Sequence, residues 1–142
     1  MRAISLWQPY ASLWLSPYKL HETRHWSTQY RGPLAVHAAK RAETVVDDRV
    51  EFLLRAHFGR DWARTLPRGA LIGVLNLDGC ERTEKIYPLQ PATADDYACG
   101  NFAPGRYGWR RGSVFRLLSK PIPYIGRQGF FNVPDEILRV AA

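Results

Sequence analysis

The stretch PYKLHETRHW, Pro17 to Trp26, sets a Lys, a Glu and an Arg within six residues, among two His, a Thr and a Trp. Apolar segments fit for a core flank it on both sides, so its polar groups form either a salt-bridge lattice or a site. Leu20 to Trp26 reads as a strand. Alternation then sets Leu20, Glu22, Arg24 and Trp26 on one face and His21, Thr23 and His25 on the other. Lys19 falls in the preceding loop and is free to turn toward either face. The competing reading is a Glu22–Arg24 ion pair on a solvated strand face.

Working outward toward the N-terminus, Arg2 to Leu6 reads as a short strand and Gln8-Pro9 opens a helix. Tyr10, Leu13 and Trp14 fall at helical spacing, which makes Trp14 core, and Pro17 stops the helix. Trp7 and Gln8 sit at the strand-to-helix junction, where side chains can escape the core. On the other side, Tyr30-Arg31-Gly32-Pro33 is a turn, and Leu34 to Ala38 is a strand ending at Lys40-Arg41. Ala42 to Phe58 reads as a helix with Val46, Val50, Leu53, Leu54 and His57 as its apolar stripe and Gly59 as its end. Trp62 and Leu66 form a short segment that packs back.

Ala70 to Leu77 is apolar on both alternating faces, the mark of a strand buried on both sides. Residues 78–105 read as a strand near Glu84 to Tyr87 followed by a large loop. Tyr107 to Leu118 alternates as a strand. Pro121-Ile122-Pro123 fits only an edge or a bend. Arg127-Gln128-Gly129 is a turn, and Pro134-Asp135 starts a terminal helix. With no repeat and no linker, residues 1–142 read as one α+β domain: a small mixed β-barrel or sheet with helices covering it.

The chain has 142 residues, 46% of them hydrophobic, enough to bury a core without disulfides. No run approaches the roughly 18 apolar residues of a membrane span, and the first residues are too interrupted for a signal peptide, so a cytoplasmic, membrane-free protein is expected. Cys80 and Cys99 read as two ordinary thiols. The net charge of +7 is uneven. Residues 1–41 carry six basic and one acidic side chain, 42–105 seven and ten, and 106–142 seven and two. If the two basic ends meet in space they make a surface suited to a polyanion.

Pro17, Lys19, Glu22 and Arg24 stand where the ASCH family, part of the PUA-like superfamily of RNA-associated β-barrels, carries its G-x-K-x-x-E-x-R signature. AISLWQPYA resembles the family's first turn, YRGPLAVHAAK its next strand, and RYGWRRGSVFRLL with PIPYIGRQGFF its closing segment. The acidic helix and residues 78–105 lie outside the resemblance. Pro17 replaces the signature Gly and stiffens the loop that carries Lys19. The resemblance implies a small PUA-like barrel with flanking helices and a cleft lined by Lys19, Glu22 and Arg24. It implies roles with RNA: binding, RNA cleavage, or deacylation of a modified cytidine nucleoside. A non-catalytic module that recruits RNA or a protein is a further alternative.

Lys19 and Arg24 supply donors for a phosphate or a base carbonyl, and Glu22 accepts from a base amine or ribose hydroxyl or serves as a general base. These three are the candidate catalytic residues. Trp7, Gln8, Trp26 and Tyr107 are the candidates for contacting unpaired bases. Lys40, Arg41, Arg106, Arg110, Arg111 and Arg127, with Gln128 beside the last, are candidates for the RNA backbone. His21, His25 and His37 invite a metal reading, but His21 and His25 are about 13 Å apart on a regular strand, too far for one zinc ion. No cofactor is required by the sequence, and a weakly held magnesium or manganese on Glu22 or an Asp is the one metal it leaves open. In the deacylating members a Thr occupies the position of Glu22. Thr23 falls on the opposite face, and Ser5, Ser12 and Ser16 lack the context of a nucleophile elbow.

Overall fold

The computed structural model describes residues 1–88 and 94–140. The first strand, β1 (Arg2–Gln8), leads through a cis Gln8–Pro9 bond into α1 (Tyr10–Trp14). There follow β2 (His21–Arg24), β3 (Gly32–Ala42), α2 (Asp48–Phe58), α3 (Trp62–Thr65) and β4 (Ala70–Arg82). The chain closes with α4 (Thr83–Ile86), α5 (Asp95–Ala98), β5 (Tyr107–Pro123), β6 (Phe131–Asn132) and α6 (Asp135–Val140). The six strands form one mixed sheet in the order β2-β5-β4-β3-β1-β6, with β1 parallel to β3 and the other pairings antiparallel. The fold is therefore α+β, and among the described residues no ladder joins β2 to β6. The two basic ends do meet: β1 pairs with β6, and the N-terminal amine lies 2.7 Å from Asp135.

Apolar side chains sort into three groups. Ile4, Leu6, Trp14, Leu15, Leu34, Val36, Leu75, Leu77 and Trp109 pack α1 against the sheet. Ala3, Ala35, Leu71, Leu118, Phe131, Val133 and Leu138 fill the other side, where α6 lies. Leu13, Val50, Leu53, Leu54, Trp62 and Cys99 join α1, α2, α3 and the end of α5. Alternation on β4 is absent where expected, because Ala70 to Gly73 is buried continuously between these groups. Gly73 is required there: a Cβ would stand 2.6 Å from the Arg116 carbonyl oxygen and from Leu15 Cδ1.

Three differences from the sequence reading bear on the site. The helix expected from Ala42 starts only at Asp48, because β3 continues to Ala42 opposite Gln8 and the Glu43 N–H donates to the Gln8 carbonyl at 2.7 Å. Asp47 caps the helix, its carboxylate accepting from the Val50 N–H at 2.9 Å. Asp47→Ala is expected to cost about 1 kcal/mol in urea denaturation. The strand expected near Glu84 is a helical turn, α4. It forms because the Thr83 hydroxyl donates to the Ala103 carbonyl, and Glu84 accepts from the Thr83 hydroxyl and the Gly105 N–H, folding the chain back on itself. The expected 78–105 loop holds the end of β4 together with α4 and α5, and its residues 89–93 lie outside the described part. Pro121 to Pro123 extends β5 at an edge: it pairs with β4 alone, since β2 covers only Tyr107 to Arg110.

Candidate functional site

Lys19 turns inward. Only 1% of it is exposed, with Nζ 2.7 Å from the Cys99 carbonyl oxygen and 3.5 Å from Glu22 Oε1. The turn that carries it is held from behind. Arg111 donates to the carbonyls of Ser16, at 2.6 Å, and Lys19, at 3.1 Å, and also to that of Gly112. Arg111 is thus a buried clamp rather than a phosphate contact, and burial lowers its pKa. Glu22 and Arg24 share a face as alternation requires, with Arg24 Nη1 3.3 Å from Glu22 Oε2. The pair is not solvated: the Glu22 side chain is 10% exposed and stands between two cations. Arg24 Nε is buried with no hydrogen-bond partner among the described residues.

These three side chains border one cleft of about 1220 Å³. Trp26 forms part of its wall and packs at the same time, edge to face with Trp109 at 4.6 Å and Phe130 at 5.8 Å. The Arg24 guanidinium lies 5.5 Å from the Trp26 ring centre. Trp7, Lys40, Arg127 and Gln128 also line the cleft, and Trp7 is 43% exposed. Arg41 lies over the Trp7 ring at 5.8 Å, outside the lining. Glu43 and Asp47 line the cleft too, so its basic character is offset by acidic side chains at one end. Burial, then Glu43 and Asp47, raise the pKa of Tyr10 in the same wall, which keeps its phenol protonated as a donor.

Besides Arg111 and Arg41, four more of the expected contacts lie elsewhere. Gln8 is 2% exposed; its amide donates to Ser12 Oγ and the Pro67 carbonyl and accepts from the Ser12 N–H, so it caps α1 instead of reading a base. Arg106 donates to the Asn101 and Thr23 carbonyls. Tyr107 is half-buried under Arg82, 5.7 Å from its ring centre. Arg110 borders a separate hollow of about 470 Å³ with His21 and Cys80. Thr23 borders the cleft, but its hydroxyl accepts from the Asn101 N–H at 2.9 Å.

The segment behind Lys19 is anchored by Asp96. Its Oδ1 accepts from the backbone N–H groups of Leu20 and His21, and its Oδ2 from His21 Nδ1 and the Tyr87 hydroxyl, all within 2.9 Å. Burial pushes the Asp96 pKa up, but the hydrogen bonds and charge of His21 and the bond from Tyr87 outweigh it, so the carboxyl stays below its usual range. Burial pushes the Cys99 thiol up to about 11, which leaves it protonated and unreactive at neutral pH. Among the described residues no cluster of three or more His, Cys, Asp and Glu side chains could hold a metal. A divalent ion at Glu22 would compete with the charges of Lys19 and Arg24 beside the carboxylate.

Sequence reasoning weighs Ser5 only as a nucleophile and does not pair it with His37; both line the cleft. They sit opposite each other on the parallel strands β1 and β3, with Ser5 Oγ 2.8 Å from His37 Nδ1. No local pattern in the sequence announces this pair, because a parallel pairing leaves no turn between its strands.

No protein-family model matches the chain, and no curated protein does. Solved structures do. The ASCH protein of Zymomonas mobilis matches with a TM-score of 0.56 at 14% identity, over 97% of this chain and 90% of that one. A tyrosine-to-phenylalanine variant of the same protein gives 0.58 at 13% identity, over 99% and 98%. A serine-to-alanine variant gives 0.57 at 13%, over 99% and 96%. No helix of the described residues is long and apolar enough to cross a membrane. With TM-scores of 0.56 to 0.58 over nearly the whole of both chains, this chain has the fold of an ASCH domain.

Proposed function

We propose that the chain binds single-stranded RNA, with one nucleotide held in the cleft between Trp26 and the Lys19–Glu22–Arg24 cluster. One observation carries the reading. Three polar side chains from a six-residue stretch converge, with an aromatic wall, on a single concavity of about 1220 Å³. Clefts with a few fixed polar groups and an apolar wall are the usual form of a small-ligand site. An unpaired base can stack at Trp26, and Glu22 can accept from its amine or from a ribose hydroxyl. The Nε of Arg24 is a buried donor with no partner among the described residues, which a ligand acceptor would satisfy. Lys40 and Arg127 at the rim suit the flanking phosphates.

Lys19 and Arg24 each contact one oxygen of Glu22 and leave lone pairs free, so Glu22 can accept from a ligand without losing either partner. Deacylation of a modified cytidine has less support, since the hydroxyl of Thr23 is tied to Asn101. Fluorescence anisotropy with labelled single-stranded and duplex RNA tests the proposal. Single-stranded RNA is expected to bind more tightly, with Arg24→Ala abolishing the difference. Lys40→Ala and Arg127→Ala are each expected to lower the slope of log affinity against log salt by about 1. Equal affinity for both RNA forms in the wild type would remove the reading, and gel analysis of the recovered strand decides whether it is cut.

A further inference from the structure

The hydrogen-bonded chain Ser5–His37–Tyr124 borders the cleft, and the binding mode proposed for Trp26 and the Lys19 cluster leaves it without a task. Its polarity can be worked out. The Tyr124 carbonyl oxygen only accepts, so His37 Nε2, 2.7 Å away, carries the ring proton. In the neutral imidazole Nδ1 is then bare, and at 2.8 Å it accepts the proton of the Ser5 hydroxyl. The one donor of Ser5 is spent on the ring, and only its lone pairs remain for the cleft.

The arrangement is held in place. His37 is 2% exposed, shut behind a half-buried Ser5. Gly126 closes over both: a Cβ there would stand 2.6 Å from His37 Cε1, 2.7 Å from Nδ1 and 2.9 Å from Ser5 Oγ. A freely rotating serine offers a ligand either polarity. This one offers a fixed acceptor.

We propose that Ser5 is a specificity-determining residue that reads a hydrogen-bond donor on the bound nucleotide, either an exocyclic base amine or the ribose 2′-hydroxyl. The proposal rests on the reading of the cleft as a nucleotide site. A serine that merely pins β1 to β3 would show the same bond to His37 but would not distinguish one ligand from another.

The test uses short homopolymers of A, C and U as RNA and of A, C and T as DNA, titrated by anisotropy at one salt concentration. Preference for A and C over U and T identifies the amine, and preference for RNA over DNA identifies the 2′-hydroxyl. Ser5→Ala is expected to weaken only the preferred class, by about 2- to 10-fold, the effect of one lost neutral hydrogen bond. Ser5→Thr is expected to restore the preference. A Ser5→Ala protein that shifts all six ligands alike, or none, overturns the proposal. If the wild type binds none of the six, the nucleotide reading fails and the ligand assigned to Ser5 falls with it. Heteronuclear NMR of the His37 ring separates that failure from a failure of the relay. A bare Nδ1 with a protonated Nε2, perturbed by Ser5→Ala, upholds the fixed polarity, and the opposite tautomer overturns it.

Discussion

Replacing Lys19 with methionine is expected to destabilise the protein by about 3 kcal/mol, the scale of removing one partner from a buried ion pair, and to abolish RNA binding. The Lys19 side chain is 1% exposed and Glu22 is 10% exposed, so solvent does not take over the lost interactions. Methionine keeps most of the packing of the lysine stem and removes its charge and donors. The Cys99 carbonyl, bonded to Nζ at 2.7 Å, loses its partner, and Glu22 keeps only Arg24. Adding Glu22→Gln in the Lys19→Met background is expected to return part of the lost stability, because a neutral amide is cheaper to bury than a half-paired carboxylate. Urea denaturation measures the first effect and anisotropy the second. A Lys19→Met protein within about 0.5 kcal/mol of wild type, as a surface substitution would be, contradicts the buried cluster.

Asp96→Asn is expected to be as damaging, at about 3 kcal/mol, because four donors converge on its carboxylate and an amide must turn its own donor toward at least one pair of them. The loss reaches the cleft as well. Asp96 fastens α5 to the start of β2, and Cys99 just after α5 supplies the acceptor for Lys19. RNA affinity is therefore expected to fall although Asp96 is not among the residues lining the cleft. The same carboxylate sets a pH dependence. Its pKa is lower in the folded than in the unfolded chain, so its contribution is complete above about pH 4 and is lost as pH falls through the folded value. Denaturation midpoints between pH 6 and pH 2 are expected to drop for wild type by more than for Asp96→Asn. Parallel curves would show that Asp96 does not carry the effect.

The neighbourhood of Pro17 to Trp26 is largely legible in the sequence. Alternation along β2 placed Glu22 and Arg24 on one face, and the observed ion pair follows from that. Helical spacing made Trp14 core, where it is 0% exposed. Uninterrupted apolar character marked β4 as buried on both sides. The sequence pattern puts the start of α2 too early because Ala42 to Val46 carries no breaker, and pairing of Ala42 with Gln8 decides for strand there. Arg111 and Gln8 read as ligand contacts because their residue types suit RNA. Their burial and their hydrogen bonds to the Lys19 turn and to α1 give them structural tasks.

The sequence by itself determined which chemical groups were available and which strand face bore them, since periodicity is a local property of the backbone. It determined the order of the main strands, the trio at Lys19, Glu22 and Arg24, and the resemblance that pointed to this fold. The tertiary structure alone decided where Lys19 turns, since its acceptor at Cys99 lies 80 residues away. It alone joined His21 to Asp96 across 75 residues and Ser5 to His37 across 32. It also brought Glu43 and Asp47, from the acidic middle of the chain, into the cleft. Such partners are chosen by how strands and helices pack, and that choice leaves no trace in the spacing of residues along the chain.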